Sequence, residues 1–496
     1  MSTLNEILAG AGLKEDAPRE IAAAQVKGVA YDSRKVGKGF LFFAFPGKHV
    51  DGGAFAQQAI ERGALAVVGE SPRPAEFAGP WIEVEHGRRA LAVAARNFFG
   101  KPDQRIAITG ITGTNGKTTT AYVLDSILTG AGLTTALAGT IEYRMAGKAA
   151  AAVNTTPESP ELFRLFSDLL AAGGSHATME VSSHALALER VYGIRFHAAV
   201  FTNLTRDHLD FHGTMEEYFA AKLKLFQGAG APPPPNAIVN NDDAFGRRIE
   251  AAPGTERVTY GIGEGAAVRA CDIRSVFDGL HFEIVAGNER FRIAAPLPGR
   301  MNVYNILAAW CAGRSLGIAP ELLASGIARC RAVPGRFERV DEGQPFLVVV
   351  DYAHTDDALR NVIAVARGLE PKNVITLFGC GGDRDRAKRP MMGEAAAELS
   401  DFVVLTSDNP RSEDPLAIIN DAQVGLGRHD TPHVAEPDRE KAIRLALAKA
   451  EPGDIVILAG KGHETYQILK DRTIPLDDRE VARKVLRSFG YGVAKG

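Results

Sequence analysis

Arg105-Ile-Ala-Ile-Thr-Gly-Ile-Thr-Gly-Thr-Asn-Gly-Lys-Thr-Thr119 is the stretch on which the reading of this chain turns. Its first five residues are a short apolar run with strand character, and from Thr118 the spacing of TTTAYVLDSILTGAGL becomes helical. The turn between them is rich in glycine. Successive backbone N–H groups at a helix N-terminus cradle phosphates, and glycine lets the backbone approach them closely. In such a loop Lys117 reaches the terminal phosphates and Thr118 offers a hydroxyl to Mg²⁺. The strict pattern has Gly at position 111, where this chain has Ile bracketed by Gly110 and Gly113, so a variant phosphate loop is expected.

Working outward, His176–Val181 and His197–Asn203 read as further strands of the same unit, and Pro232–Pro235 as a rigid surface loop inside it. A boundary falls at Ala332-Val-Pro-Gly-Arg336. Beyond it the apolar strands Phe346–Asp351, Asn373–Phe378, Phe402–Thr406 and Asp454–Ala459 alternate with helical stretches such as Arg439–Ala450. That rhythm implies a parallel sheet covered on both faces, with ligands bound beyond the carboxyl ends of the strands. Before the phosphate loop, Val29–Arg34, Gly39–Phe45, a helix over Gly53–Arg62 and Ala64–Val68 suggest a small α/β unit ending before Lys101-Pro102. The expectation is an α/β protein of three domains, 1–100, 101–332 and 333–496. They would be a small N-terminal α/β domain, a central phosphate-loop domain with a parallel or mixed sheet, and a C-terminal Rossmann-like doubly wound domain.

Composition supports this and excludes much else. At 496 residues the chain has room for about three domains. With 57 Lys plus Arg against 60 Asp plus Glu, its net charge of −3 gives no general attraction to nucleic acid or an anionic membrane. The four cysteines are scattered without a CxxC pair, which fits neither a zinc site nor a disulfide framework and suits a reducing compartment. No apolar run reaches the ~18 residues of a membrane span, and the acidic N-terminus lacks the pattern of a signal peptide. The chain reads as soluble and cytoplasmic.

Several polar clusters follow strands, where chemistry is expected. Glu180 ends an apolar strand, a natural place for a Mg²⁺ ligand. Thr202–His212 gathers Asp207, His208, Asp210 and His212 after the next. Lys222, among Ala220, Ala221 and Leu223 on a helix expected over Met215–Phe226, reads by composition alone as a snorkelling surface lysine. In the last domain Gly379–Arg389, Asp408-Asn-Pro-Arg411 and Gly460-Lys-Gly-His-Glu464 lie at equivalent strand ends. Arg384 and Arg411 offer forks for carboxylates and Glu464 a partner for an ammonium, which points to an amino-acid-like substrate.

At this point the chain resembles the Mur ligases, the ATP-dependent amide-forming enzymes of peptidoglycan precursor synthesis. The resemblance runs the whole length, through Gly113-Thr-Asn-Gly-Lys-Thr-Thr119, Glu180-Val-Ser-Ser-His184, Asn203–Asp210 and Asp351-Tyr-Ala-His354. Asp32-Ser-Arg34, Asn154-Thr-Thr-Pro157 and Asp408-Asn-Pro-Arg411 are similar to the members that add the third residue, in their diaminopimelate-adding form. The resemblance implies a ligase joining meso-diaminopimelate to the D-glutamate of UDP-N-acetylmuramoyl-L-alanyl-D-glutamate through an acyl phosphate. It implies that Gly113, Thr114, Asn115, Gly116, Lys117, Thr118 and Thr119, with Asn302, Asn305 and His354, surround ATP. It assigns Ser33 to the uridine end, and Asn154, Thr155, Thr156, Ser182 and Arg190 to the muramoyl-dipeptide. Arg384, Asp408, Asn409, Pro410, Arg411, Gly460 and Glu464 would hold diaminopimelate. Lys222 would carry a carbamate and bind Mg²⁺ with Glu180, His208 and Thr118. Lys117, Lys222, His208 and Glu180 would form the catalytic set. The family's partners are small molecules, with no nucleic acid and no membrane span, and a monomer is expected. Leu188 replaces a polar residue and Asp356 a proline of the family pattern.

Rival readings are the same ligase using L-lysine, and a phosphate-loop ATPase acting as a mechanical or regulatory switch. Members adding a D-Ala-D-Ala dipeptide or extending folate with glutamate fit Asn154–Pro157 and Asp408–Arg411 less well.

Overall fold

A computed structural model describes residues 2–47, 50–276 and 279–492. The apolar runs around the phosphate loop become the middle of an eleven-stranded sheet. From one edge its order is Glu289–Ala295, Gly279–Ala286, Val268–Val276, Glu256–Gly261, Asn236–Asn240, Ala198–Phe201, Ala107–Thr112, His176–Glu180, Thr135–Ala138, Glu142–Met145 and Lys148–Ala151. The inner strands are parallel and the edges are antiparallel hairpins. Ala107–Thr112 lies between Ala198–Phe201 and His176–Glu180. The phosphate loop, Glu180 and the Thr202–His212 segment therefore leave the sheet side by side.

Helix Lys117–Gly130 follows the loop and buries Ala121, Leu124, Ile127 and Leu128. At ~1.5–3 kcal/mol for each large side chain enclosed, this face fixes where the helix begins. Pro320–Arg329 packs against it so closely that a Cβ on Gly326 would stand 2.4 Å from the Ile127 Cα. Glycine there sets the approach. The other helix on this face, Arg300–Ser315, buries Trp310.

Two larger sheets accompany the central one, besides a two-stranded pairing of Tyr466–Ile468 with Thr473–Pro475. Gly28–Ala30, Phe40–Ala44, Ala66–Gly69 and Trp81–Glu83 form a parallel four-stranded sheet. Toward the C-terminus a six-stranded sheet runs Glu338–Val340, Leu347–Asp351, Ile455–Ala459, Val374–Cys380, Phe402–Ser407 and His433–Ala435. Its last five strands are parallel and carry apolar cores on both faces, as the strand–helix alternation implies. Its first strand is antiparallel.

Local differences from the sequence reading have local causes. The strand expected over Val29–Arg34 stops at Ala30, because the Asp32 carboxylate accepts the Arg34 N–H at 3.0 Å and starts a 3₁₀ turn over Ser33–Lys35. The helix expected over Gly53–Arg62 is a 3₁₀ turn, Gly52–Phe55, capped by Asp51, followed by Ala56–Glu61. Met215–Leu223 ends before Phe226 as its last residues tighten into three-residue turns. Asp356, where proline is usual, opens helix Asp356–Arg367 behind the Thr355 cap, a position where an acid favours the helix dipole.

Candidate active site

The phosphate loop has the geometry its letters suggest. Gly116 stands at φ +86, and a Cβ on it would come within 2.3 Å of the Asn305 Oδ1. Gly113, at φ +147, would place a Cβ 1.9 Å from the Thr202 Oγ1. No side chain fits at either position. The Lys117 ammonium donates to the Gly113 and Thr114 carbonyls at 2.9 and 2.8 Å. Burial pushes its pKa down, against the pull of Glu180.

Behind the loop, Thr118 donates to Glu180 Oε2 at 3.0 Å, and the Thr140 N–H and hydroxyl bond the same carboxylate at 2.8 and 3.0 Å. His208 stands at φ +54, with Nε2 3.4 Å from the Asp207 carboxylate. Burial holds the His208 pKa at about 3, outweighing the attraction of Asp207. Asp207 is ionised well below the usual carboxylate range, since His208 and Lys388 beside it overcome its own burial. Lys388 reaches across from the C-terminal unit to pair with it.

Lys222 corrects the composition-based reading. It is 1% exposed, no surface lysine, and its ammonium donates to Gly113 O at 2.8 Å while facing the Tyr218 ring at 4.5 Å. Burial and the nearby Lys117 drive its pKa well down. Among the described residues no carboxylate lies within ion-pair distance of it.

A cavity of about 300 Å³ joins these groups to the C-terminal sheet. Thr114–Thr119, Glu180, Ser182, Asp207, His208, Asn302, Asn305 and His354 line it. So do Arg336 and Asp351, residues to which the sequence reading gave no site role. Arg336 donates to Thr118 Oγ1 at 3.2 Å and stacks on Tyr352 at 4.7 Å. Asp351 fixes the neighbouring backbone by accepting the Phe337 N–H at 2.7 Å. Arg336 lay in plain view beside the Pro-Gly boundary, and Asp351 at a strand's carboxyl end. Neither belongs to a polar cluster in the sequence. Asn302 and Asn305 bond each other at 3.0 Å beside the loop, and His354 stacks on Tyr352 at 4.7 Å.

The residues expected to hold the nucleotide-sugar dipeptide divide. Thr155 hydrogen-bonds Thr140 at 3.1 Å, next to Glu180, and Ser182 caps a short helix facing the cavity. Thr156 is fully enclosed, its hydroxyl donating to Glu180 O at 2.9 Å, so it shapes the loop from behind. Arg190 pairs with Glu158 and donates to Thr156 O. Asn154 is exposed, its backbone held at both ends by the Tyr143 hydroxyl. Ser33 lies apart in the first sheet's unit, buried and donating to Gln58 at 2.6 Å.

The three C-terminal loops converge as their positions imply. Asn409 donates to Glu464 Oε2 at 2.9 Å, and a Cβ on Gly460 would stand 3.6 Å from Asp408 Oδ2. Arg411, at φ +54 after Pro410, donates to Gly382 O at 2.7 Å, and Arg384 to Asp383 O at 3.3 Å. Neither guanidinium lies at ion-pair distance from a carboxylate among the described residues, although both act at longer range on Asp383. Tyr352 stacks on His463 at 4.9 Å, so Thr118, Arg336, Tyr352 and His463 connect the phosphate loop to Glu464.

Comparison with known proteins matches this chain in three consecutive segments. Residues 25–99 fit the Mur ligase family catalytic domain, 111–313 the Mur ligase middle domain and 335–462 the Mur ligase glutamate ligase domain. The UDP-N-acetylmuramoyl-L-alanyl-D-glutamate–2,6-diaminopimelate ligase of Solibacter usitatus (strain Ellin6076) is 65% identical, over 98% of this chain and 99% of the relative. The enzyme of the same name from Geobacillus thermodenitrificans (strain NG80-2) is 46% identical over 92% and 94%. A solved structure bearing that enzyme name superposes with a TM-score of 0.70 at 31% identity, covering 99% of both chains. A MurF ligase from Thermotoga maritima, solved in complex with ADP, shares the fold with a TM-score of 0.62 at 20% identity, covering 88% of this chain and 94% of that one. Matched in order along nearly its whole length, this chain belongs to the Mur ligase family.

Proposed function

We propose that this ATP-dependent ligase joins meso-diaminopimelate to the D-glutamate of UDP-N-acetylmuramoyl-L-alanyl-D-glutamate. The observation that carries the reading is the pair of guanidiniums, Arg384 and Arg411, with no carboxylate at ion-pair distance among the described residues, Arg411 reaching the carbonyl of the Asn409 that holds Glu464. That rim is linked by Arg336 and Tyr352 to a phosphate loop. Diaminopimelate has one more carboxylate than lysine, and Arg411 would be its partner. A site built around a charged partner rejects the analogue that leaves it unpaired.

A carboxylate is a poor acyl donor until its oxygen becomes part of a better leaving group. The γ-phosphoryl group of ATP therefore goes first to the glutamate side-chain carboxylate, giving an acyl phosphate and ADP. Lys117 and the amides of Gly113–Thr118 face the charge that spreads over the phosphoryl oxygens in that step. The free amine then attacks the acyl carbon, and the tetrahedral adduct collapses with loss of phosphate. Ionised Asp207 and the neutral imidazole of His208 stand beside the loop.

The donor set suits a magnesium ion, with the Thr118 hydroxyl, the Glu180 carboxylate and the His208 imidazole on one side of the cavity. Lys222 is buried, has no carboxylate at ion-pair distance among the described residues and is held toward its neutral amine, the form that adds CO₂ to give a carbamate. A carbamate there would supply the missing negative charge. When bound, the ion would neutralise phosphate oxygens. The three sets of substrate groups and the cavity lining suit small soluble substrates of the cytoplasm, and among the described residues no helix is long and apolar enough to cross a membrane.

The deciding assay follows phosphate release and ligated product with purified protein, ATP and the nucleotide-sugar dipeptide, offered diaminopimelate or lysine. The expected result is product and phosphate only with both precursors present, and a preference for diaminopimelate. Phosphate release indifferent to the amino acid, or a preference for lysine, would overturn the reading.

A further inference from the structure

We propose that Lys461 is the positioning residue that holds Asn409 and Glu464 ready for the amino group of the incoming amino acid, and that it sets the pocket's charge for a single added ammonium. The inference deepens the proposed function and rests on it.

Lys461 follows Gly460 at the carboxyl end of strand Ile455–Ala459 and is 0% exposed. Its ammonium lies 3.4 Å from Asp408 Oδ1, 3.2 Å from Asn409 Oδ1 and 3.0 Å from Glu464 Oε2, with the Tyr466 ring at 5.7 Å. All three of its N–H donors have an acceptor. Burying an ammonium is costly, and an apolar side chain of similar length would fill this space without that cost. The charge itself is therefore the reason for a lysine here.

The charges make the case sharper. Asp408 and Glu464 supply two negative charges and Lys461 one positive, leaving one negative charge over. Glu464 Oε2 takes both the Lys461 ammonium and the Asn409 amide, while Oε1 has no donor among the described residues. The Glu464 side chain is 14% exposed, so that oxygen is open to a ligand. The amide of Asn409 is fixed in one orientation, with Oδ1 accepting Lys461 and the Ile468 N–H at 2.9 Å and Nδ2 donating to Glu464. One unmatched charge and one unmatched oxygen, with the Arg411 guanidinium 3.5 Å from Asn409 O, complement the ammonium and carboxylate of one amino-acid end. Without Lys461, Asp408 and Glu464 would repel each other, and an arriving ammonium would have to satisfy both.

The test compares wild type, Lys461→Met and the double variant Asp408→Asn/Lys461→Met, with Asp408→Asn alone as reference. KM is measured for each of the three substrates. Lys461→Met is expected to raise the diaminopimelate KM at least 10-fold while the KM values for ATP and the nucleotide-sugar dipeptide stay within twofold. Adding Asp408→Asn restores the single net negative charge and is expected to recover several-fold of that loss, which a residue needed only for packing would not do. Should Lys461→Met fail to fold, the double variant, with one net negative charge, is read against Asp408→Asn, whose Lys461–Glu464 pair is neutral, and its diaminopimelate KM is expected to be several-fold lower; an equal or higher KM would overturn the proposal. A diaminopimelate KM unchanged in Lys461→Met, an equal rise for all three substrates, or no recovery on adding Asp408→Asn would overturn the proposal. A wild type that does not use diaminopimelate would overturn the functional reading instead.

Discussion

Asp357 is the residue whose removal should separate nucleotide binding from ligation. It stands in the first turn of helix Asp356–Arg367 on the C-terminal unit, yet its Oδ2 accepts the Asn115 amide at 2.7 Å and the Thr205 hydroxyl at 3.0 Å. Both partners belong to the central unit, and Asn115 is part of the phosphate loop. A hydrogen bond to a charged group contributes about 1.5–3 kcal/mol, so two crossing bonds give a gross docking term of about 3–6 kcal/mol. Burial raises the Asp357 pKa, which shows that desolvation already offsets part of this. A net loss of about 2 kcal/mol on truncation is reasonable, equivalent to roughly 30-fold in rate. Asp357→Ala should therefore lower kcat about 30-fold, with Asp357→Asn intermediate because its amide oxygen can still accept both bonds but without the carboxylate's charge. Affinity for a non-hydrolysable ATP analogue, read by calorimetry, should change less than threefold, since Lys117 and the loop amides are untouched. Small-angle scattering should show a larger radius of gyration. A kcat at the wild-type level would refute the argument. So would ATP-analogue affinity falling in step with kcat, because Asp357 would then be ordering the loop and not joining the two units.

Three other perturbations have outcomes fixed by the same geometry. Gly116→Ala meets both a left-handed backbone and the Asn305 Oδ1 at 2.3 Å, so ATP-analogue binding should fall at least 10-fold in calorimetry, with a backbone cost of about 1–2 kcal/mol. Arg439 and Asp478 form an ion pair with both side chains 0% exposed, so Arg439→Met should destabilise the C-terminal unit by about 3–5 kcal/mol in denaturant unfolding. Burial, the largest effect, holds the His463 pKa down at about 4 against an ordinary value of 6.5. The unfolded chain therefore binds the extra proton first as pH falls. The stabilisation from neutral His463 is complete above pH 6.5 and is lost by pH 4, about 3 kcal/mol over that window. His463→Gln should flatten the decline of Tm across the same window, and an unchanged slope would count against the burial argument.

The features legible in the sequence were those set by short-range rules. The Ala107–Thr112 strand, the glycine turn and the helix from Lys117 can each be read from apolar spacing and from positions that only glycine can occupy. The C-terminal strand ends were legible because parallel sheets put their ligand groups there, and Asn409 and Glu464 do meet. Lys222 was misread from composition because alanine neighbours say nothing about what closes over the far side of a helix. Its burial depends on Gly113, more than a hundred residues earlier in the chain. Arg336, Asp357 and Lys461 were missed for a related reason. Each acts through a partner on another segment, Thr118, Asn115 or Asp408, and no local pattern encodes such a pairing. Thr156 shows the converse: its motif is visible in the sequence, but the direction of its hydroxyl is decided by the neighbouring strand.

Arg336 also changes how the protein can be taken apart. The chain passes from the central sheet to the C-terminal sheet through Val333–Arg336, and the guanidinium that reaches Thr118 is carried by that crossing itself. Two fragments cut at this point would each retain an apolar interior, yet rejoining them by simple mixing would leave the crossing with a free end and Arg336 without its tether. The connecting turn is thus a working part of the machine, and a shuffled or circularly permuted version should keep that peptide intact and open the chain somewhere else.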